Sequence, residues 1–252
     1  MKAKQLITRR NALIAGLAAA GGLLLPRVPK QLPPTYGNIL RMGDNLTYAA
    51  HRVLLPGQSL AREYSKSDIT SFPATGTTNP GDPKHPNSSE AYRQFQAGGF
   101  ADWRLPVEGL VARPGSFSLS ELKRIASRTQ ITRHTCEEGW SAIAEWTGAP
   151  LSQVLESVGI LPEARFVTFY SYDGWVDCID MVDALHPQTL LAYGMNGQDL
   201  MIAHGAPVRL RVERHVGYKN MKYLQRIVVN DHFDDGGEKG NILNGWAWYT
   251  GI

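Results

Sequence analysis

Cys136 carries the most reactive chemistry in this sequence. It sits in Thr132-Arg133-His134-Thr135-Cys136-Glu137-Glu138-Gly139-Trp140. A thiolate is a soft ligand suited to a redox metal, and Arg133 and His134, close in sequence, are expected to favour the ionised form. Other readings stay open. Cys136 can act as a nucleophile, with one of seven histidines as base and an acid such as Asp173 orienting it. It can also be an inert buried cysteine, or pair with Cys178, the second of two cysteines. Two cysteines make no disulfide framework, no nucleophile signature surrounds Cys136, and the sequence has no CxxC or HxxxH spacing for zinc.

A second concentration of chemistry lies downstream. Arg209, Arg211, Arg214, His215, Lys219 and Lys222 fall within fourteen positions. Such a run can be a solvated strand face followed by a loop. It can also be a strand leading into a basic, Gly217-containing loop, which offers cations and backbone N–H groups to an anion. His204-Gly205-Ala206-Pro207 makes a turn just before it, and Asn196-Gly197 favours a tight hairpin. Tyr170, Tyr172 and Trp175 can line a pocket or simply pack in the core.

Elements are needed to position these residues. Val208, Leu210 and Val212 alternate with Arg209, Arg211 and Glu213, a strand pattern. Trp103 to Val111, Arg165 to Ser171 and Leu224 to Val229 also read as strands. Leu151, Val154, Leu155 and Val158 fall at i, i+3, i+4, i+7 between Pro150 and Gly159, which predicts an amphipathic helix. Ser118-Leu119-Ser120-Glu121 is a capping box. A helix is expected from Gly43 to Leu55, capped by Asp44 or Asn45, and one or two helical turns from Asp180 to Leu185, stopped by Pro187. Residues 64–100 read as a long irregular stretch. The aromatic tail, Trp246 to Ile252, is expected to pack on the body. Strands and short helices mix without a βαβ rhythm, so the fold class is α+β with mixed β-sheets.

The chain has 252 residues, 43% hydrophobic and 19% charged, a globular composition. Its net charge of +3 owes much to the first 25 residues, which hold Lys2, Lys4, Arg9 and Arg10 and no acid; without them 22 basic residues face 23 acidic ones, a charge of −1. Nucleic acid is therefore not an expected partner. Ala12 to Leu25 is an uncharged run of fourteen residues, the length of a signal core rather than of a membrane span. Thr8-Arg9-Arg10-Asn11-Ala12-Leu13 resembles the twin-arginine export motif. Residues 1–25 are read as this signal segment, 26–63 as a Pro-rich linker and an N-terminal helix, and 64–252 as the functional domain. No clear cleavage site precedes Pro26, so an uncleaved leader acting as a membrane tether is one expectation. Periplasmic or otherwise exported localisation is the other part of that reading.

The stretches TRHTCEEGWSAIAEWTGAPL, ALHPQTLLAYGMNGQDL and AHGAPVRLRVERHVGYKNMKYLQRI, in this order and spacing, resemble the sulfite-oxidase-type molybdopterin-binding oxidoreductases. The resemblance runs from about Trp103 to Val229 and is closest to small exported bacterial members akin to the catalytic subunit of the periplasmic methionine-sulfoxide reductase. It implies that family's molybdopterin-binding fold and a molybdopterin with one molybdenum, whose metal takes one protein cysteine, here Cys136. It also implies that the pterin phosphate sits on Arg209 and on the triplet Asn220, Met221 and Lys222. Ser171 falls on a Thr position that meets the cofactor, and His204 falls where the reductase branch commonly has Asn. The stretch from Thr70 to Pro80 is expected to touch the pterin. Cys178 keeps the reading of a small strand residue.

The activity implied is oxygen-atom transfer to or from a small sulfoxide- or sulfite-like substrate, with Arg133 as the cation attracting its oxygen. The sequence carries no haem-binding CxxCH. Electrons are therefore expected to pass to or from a separate haem protein, a membrane cytochrome b or a small cytochrome. Only 23 residues follow Val229, so the added C-terminal dimerisation domain of true sulfite oxidases is not expected, and the chain is read as a monomer. The competing function class is a non-catalytic binding protein that retains the fold.

Overall fold

The structure, a computed structural model, describes residues 39–55, 59–242 and 244–252. The twin-arginine segment and most of the linker expected before the first helix lie outside them. Two five-stranded sheets carry the fold. The first runs β2 (Gly115–Ser118), β1 (Arg104–Gly109), β10 (Leu224–Asn230), β5 (Phe166–Ser171), β6 (Val176–Asp180). Its β1–β10 pair is parallel and its other pairs are antiparallel. The second runs β3 (Arg128–Thr135), β4 (Ser141–Pro150), β7 (Leu190–Met195), β8 (Gln198–Asp199), and β9 (Arg209–Arg211) also pairs with β7. All its pairs are antiparallel. The short helices are α1 (Ile39–Leu54), α2 (Glu90–Ala97), α3 (Leu119–Arg124), α4 (Leu151–Val158) and α5 (Met181–Ala184).

Apolar spacing explains the core. Leu151, Val154, Leu155 and Val158 of α4 are all buried, joined by Leu105 and Val107, Val167 and Phe169, Ile227 and Val229, and the strand-flanking Val208, Leu210 and Val212. Each such side chain contributes about 1.5–3 kcal/mol on leaving water. The capping box forms as written in the sequence, with Ser118 Oγ accepting from Glu121 N and Glu121 Oε2 from Ser118 N. Asp180 caps α5. Asn196 and Gly197 take φ values of 51° and 77°, the left-handed pair that a tight β7–β8 hairpin requires. The tail does pack on the body: Trp248 and Tyr249 are buried against Tyr48, Phe166 and Phe233.

Two expectations are corrected, and one open alternative is set aside. Helix α1 begins at Ile39, so Asp44 and Asn45 lie inside it, and Asn45 Oδ1 accepts from Trp248 Nε1 instead of capping. The stretch read as irregular contains α2, a two-turn helix capped by Ser89 that buries only Tyr92, too little periodicity to register as a pattern. The charged residues of β9 and the turn after it are not the solvated face that was one of two open readings: Arg209, Arg211 and Glu213 are as buried as the valines and leucine between them. Their face lies against Trp146, with the guanidinium carbons of Arg209 and Arg211 5.1 and 4.5 Å from its ring centre.

Candidate functional site

Cys136 leaves the end of β3 and opens the β3–β4 turn. Its N–H donates to Trp140 O at 2.9 Å, and its carbonyl accepts from Gly139 N at 3.1 Å. The β5–β6 turn approaches from the other sheet, with Ser171 N donating to Trp175 O and Gly174 N to Ser171 O, both at 3.0 Å. The β9–β10 connection lies between the two. These three segments and residues 72–77 enclose a cavity of about 960 Å³, counting its open mouth. Cys136, Ser171, His204, Arg209, Asn220, Met221 and Lys222 all line it. Residues far apart in sequence thus converge because two sheets present their turns to one place.

Arg133 does not join them. Along β3, Gln130, Thr132 and His134 are buried and Thr129 and Arg133 are exposed, the period-two alternation of a strand. Arg133 therefore points away from Cys136 and stacks over Tyr64, 5.6 Å from the ring centre. The expectation that it lies beside the metal position is corrected on that ground. His134 faces the cavity in its place. Arg211 Nη1 lies 2.7 Å from His134 Nδ1, and an arginine can only donate, so Nδ1 accepts and the proton resides on Nε2. Burial, then Arg211 and Arg209, push the His134 pKa down to about 2, so the ring is neutral.

Cys136 is likewise not poised as a thiolate by its neighbours. Burial raises its pKa to about 11, and the carboxylates of Glu137 and Glu138 raise it too. Sγ lies 3.5 Å from Glu137 Oε2. An activated cysteine nucleophile is thereby disfavoured, and both Cys136 and Cys178 are free, so the pairing alternative is also corrected. Cys178 is fully buried within β6.

The cavity cations have unusual company. Arg209 is buried, with Nη1 donating to His204 O and Nη2 to Asn220 O, both at 2.9 Å, while Nε has no partner. Lys222 Nζ donates to Thr75 O at 2.8 Å and to Thr77 O. Neither forms an ion pair among the described residues. Burial and a neighbouring arginine lower the pKa of Arg209 to about 9, and burial with Arg209 lowers that of Lys222 to about 8. His204 is pushed down by burial and by the same two cations. Ser171 Oγ and Asp173 Oδ1 are also buried without partners, and burial raises the Asp173 pKa. The Asn220 side chain is occupied in holding the loop, accepting from Val212 N at 2.8 Å and donating to Val216 O at 3.2 Å. Met221 packs into the core. Gly217 is required where the loop passes the cysteine turn: a Cβ there would lie 2.5 Å from Glu137 Oε2 and 3.0 Å from His134 Nε2.

Sequence reasoning missed several lining residues. Phe72, Trp140, Tyr218 and Trp246 line the cavity with Trp175, and Tyr218 and Trp246 stack at 5.1 Å. Residues 72–77 were expected near the cofactor only as a stretch. The aromatic content of the tail and the Gly76-containing turn were the signals available.

Residues 93–237 match the family model described as the oxidoreductase molybdopterin binding domain. The chain is 40% identical over 151 residues to a putative protein-methionine-sulfoxide reductase subunit YedZ1 of Azospira oryzae, covering 60% of this chain and 56% of that protein. It is 38% identical over 141 residues to the protein-methionine-sulfoxide reductase catalytic subunit MsrP of Xanthomonas axonopodis pv. citri, covering 50% and 44%. The chain spans about half the length of these curated relatives. Among solved structures, the sulfane dehydrogenase SoxCD of Paracoccus pantotrophus matches with a TM-score of 0.51 and 25% identity, over 53% of this chain and 39% of that one. With the match extending over more than half its length, the chain belongs to the molybdopterin-binding oxidoreductase family and is an oxidoreductase of sulfite-oxidase-type fold whose cofactor is a molybdenum-bearing molybdopterin.

Proposed function

We propose that this chain is the catalytic unit of an exported reductase that removes the oxygen atom from sulfoxides, methionine sulfoxide in particular, using electrons from a separate haem protein. The observation that carries this reading is the convergence of Cys136 with two buried cations that form no ion pair among the described residues, Asp173 acting on Lys222 only at longer range. Buried charges are ordinarily paired, so Arg209 and Lys222 fit the phosphate end of a pterin cofactor. The partnerless Ser171 Oγ, Asp173 Oδ1 and Arg209 Nε supply hydrogen bonds along the cavity wall. The close passage of Gly217 keeps the space beside the cysteine open. The donor set therefore fits the group.

In this reading Cys136 Sγ holds the molybdenum, Arg209 and Lys222 hold the phosphate, and Ser171 and His204 contact the pterin. Asn220 and Met221 act through the shape of the loop they fix. The bound group supplies two-electron oxygen-atom exchange. His134, its tautomer fixed by Arg211, holds a proton on Nε2 throughout the physiological range and is placed to donate a hydrogen bond into the cavity. Phe72, Trp140, Trp175, Tyr218 and Trp246 give the cavity an apolar aromatic lining, which limits water and suits a thioether through sulfur–aromatic contacts. The methionine-sulfoxide reductases among the relatives support the substrate class and the direction of transfer. Arg9-Arg10 and the mild apolar run behind it support twin-arginine export to the periplasm, with the uncleaved leader as a tether. The electron partner is a membrane cytochrome b or a small cytochrome, and the chain acts as a monomer.

The test uses protein purified from its own export route. It should contain molybdenum and pterin and should oxidise a reduced viologen when methionine sulfoxide is supplied. Cys136→Ser should fold, keep some pterin, lose most turnover and show an altered molybdenum electron-paramagnetic-resonance signal. Intact exported protein with neither molybdenum nor pterin overturns the reading. Oxidation of sulfite without reduction of sulfoxide overturns the direction.

A further inference from the structure

Helix α1 is amphipathic in the opposite sense from an ordinary surface helix, which turns its apolar stripe to the core. Its polar and aromatic side faces the body. Tyr48 Oη donates to Asp180 Oδ2 at 2.8 Å, and Arg52 bonds Asp180 at 3.0 Å and also Asp183. Trp248 Nε1 donates to Asn45 Oδ1 at 2.8 Å, and His51 Nδ1 lies 3.2 Å from Tyr249 Oη. On the outer side Met42, Leu46, Ala50 and Leu54 recur every four residues, so they form one stripe. Met42, Leu46 and Leu54 are 56%, 69% and 75% exposed. The buried ion pairs of Arg52 fix the helix's rotation and keep this stripe outward. Leu55 and Leu60 just beyond are also exposed.

We propose that this stripe is a membrane-contact surface whose occupant is the lipid bilayer. Three observations favour lipid. The uncharged run Ala12–Leu25 precedes the helix, flanked by Arg27 and Lys30, residues that suit an anionic surface. Only residues 26–38 separate that run from Ile39, a spacer that reaches at most about 45 Å fully extended. Four side chains are also far fewer than the roughly 20–30 residues a side that a stable protein interface uses, whereas a weak interfacial contact suffices when the same chain already carries another anchor. The inference rests on the reading of an uncleaved, membrane-tethering leader and adds a second contact that sets which face of the domain meets the bilayer.

The experiment uses the full chain with an environment-sensitive fluorophore on Leu46→Cys or Leu54→Cys, and on Asp199→Cys as an exposed control; Cys136 and Cys178 are buried. Vesicles of phosphatidylethanolamine and phosphatidylglycerol are added, and co-sedimentation is read in parallel. The fluorophores at Leu46 and Leu54 should brighten several-fold and be quenched by brominated lipid, with Asp199 unchanged. If the chain sediments but those fluorophores stay water-like, the leader binds alone and the stripe proposal fails. If the chain does not sediment and the fluorophores stay water-like, the tether and the stripe both fail. Shielding before vesicles are added assigns the stripe to the chain's own leader, and shielding that grows with protein concentration assigns it to a second copy; either overturns a lipid occupant.

Discussion

Two pairs of cations within residues 209–222 have opposite surroundings. Arg211 and Lys219 are satisfied by acids: Arg211 grips Glu213 through Nε at 3.2 Å and Nη2 at 2.6 Å, and Lys219 Nζ bonds Asp177 Oδ1 at 2.6 Å. Arg209 and Lys222, just as firmly held, hydrogen-bond only to backbone carbonyls, and the acid nearest in effect to Lys222, Asp173, forms no ion pair with it. The first pair is internal structure, complete without a ligand. The second faces a cavity with no ion pair of its own, a place where an arriving anion finds two cations. Partner chemistry, not position in the basic run, separates scaffold from site.

The largest effect expected is on the satisfied pair. Glu213→Ala leaves Arg211 buried without its acid and leaves Gln130 Nε2, which donates to Glu213 Oε1 at 2.9 Å, short of a partner. Breaking a buried pair in this way costs about 3–5 kcal/mol. Urea unfolding of the cofactor-free protein should show a midpoint far below wild type. An unchanged midpoint would mean the pair is not the internal brace described here.

Next comes the second pair. Arg209→Met and Lys222→Met should destabilise the cofactor-free protein less than Glu213→Ala does, because neither breaks an ion pair, although each leaves backbone carbonyls without their donor. Pterin retention should fall as well, since charge-assisted hydrogen bonds are worth about 1.5–3 kcal/mol, or roughly ten- to a hundredfold in affinity. Pterin released on denaturation, read by fluorescence, checks this. Full retention in the double variant would place the phosphate elsewhere.

A smaller signature is the pH dependence of the cofactor-free protein. Lys222 loses its proton near pH 8 when folded but near 10.5 when unfolded, and Arg209 is lowered in the same sense. Between those values the unfolded chain binds more protons, so stability rises with pH from about 8 towards 10.5. The rise should shrink in Lys222→Met and also when inorganic phosphate is added, because an anion holds the proton on. A rise unaffected by either change would assign it to other groups.

The basic run itself was visible in the sequence, but its sorting was not. Glu213 stands two positions from Arg211, in the turn just past β9, and its nearness in sequence makes the partnership legible. Asp177, the partner of Lys219, is contributed by another sheet, and no local pattern points to it. The apolar elements β1, α4 and β10 were legible because their buried residues are hydrophobic and periodic. Strand β3 was not, because its buried face is Gln130, Thr132 and His134. Hydrophobic periodicity cannot register a strand whose inner face is polar, and it is polar because it lies under the cavity and its arginines. Strand β7 escaped for the opposite reason, being buried on both faces with no alternation to read. Cys136 was placed through the residues around it, which resemble a known family. Its turn geometry needed both sheets.

The smallest effect tests that strand register directly. Arg133 lies three residues before Cys136, and nearness in sequence suggested a role at the metal. Alternation decides otherwise: His134 and Cys136 are two apart and both meet the cavity, while Arg133, one residue before His134, sits on the exposed face against Tyr64. Shifting the register by one residue would exchange these faces, so the two residues cannot both be inside. Arg133→Ala should therefore change stability by no more than about 0.5 kcal/mol and leave pterin content and sulfoxide turnover at wild-type values. His134→Ala, one position along, should reduce turnover and perturb Arg211, which would lose its partner at Nδ1. Side-by-side turnover assays and urea unfolding of the two variants read the register. Loss of activity in Arg133→Ala with His134→Ala unaffected would invert the face assignment of β3 and, with it, the account of how Cys136 reaches the cavity.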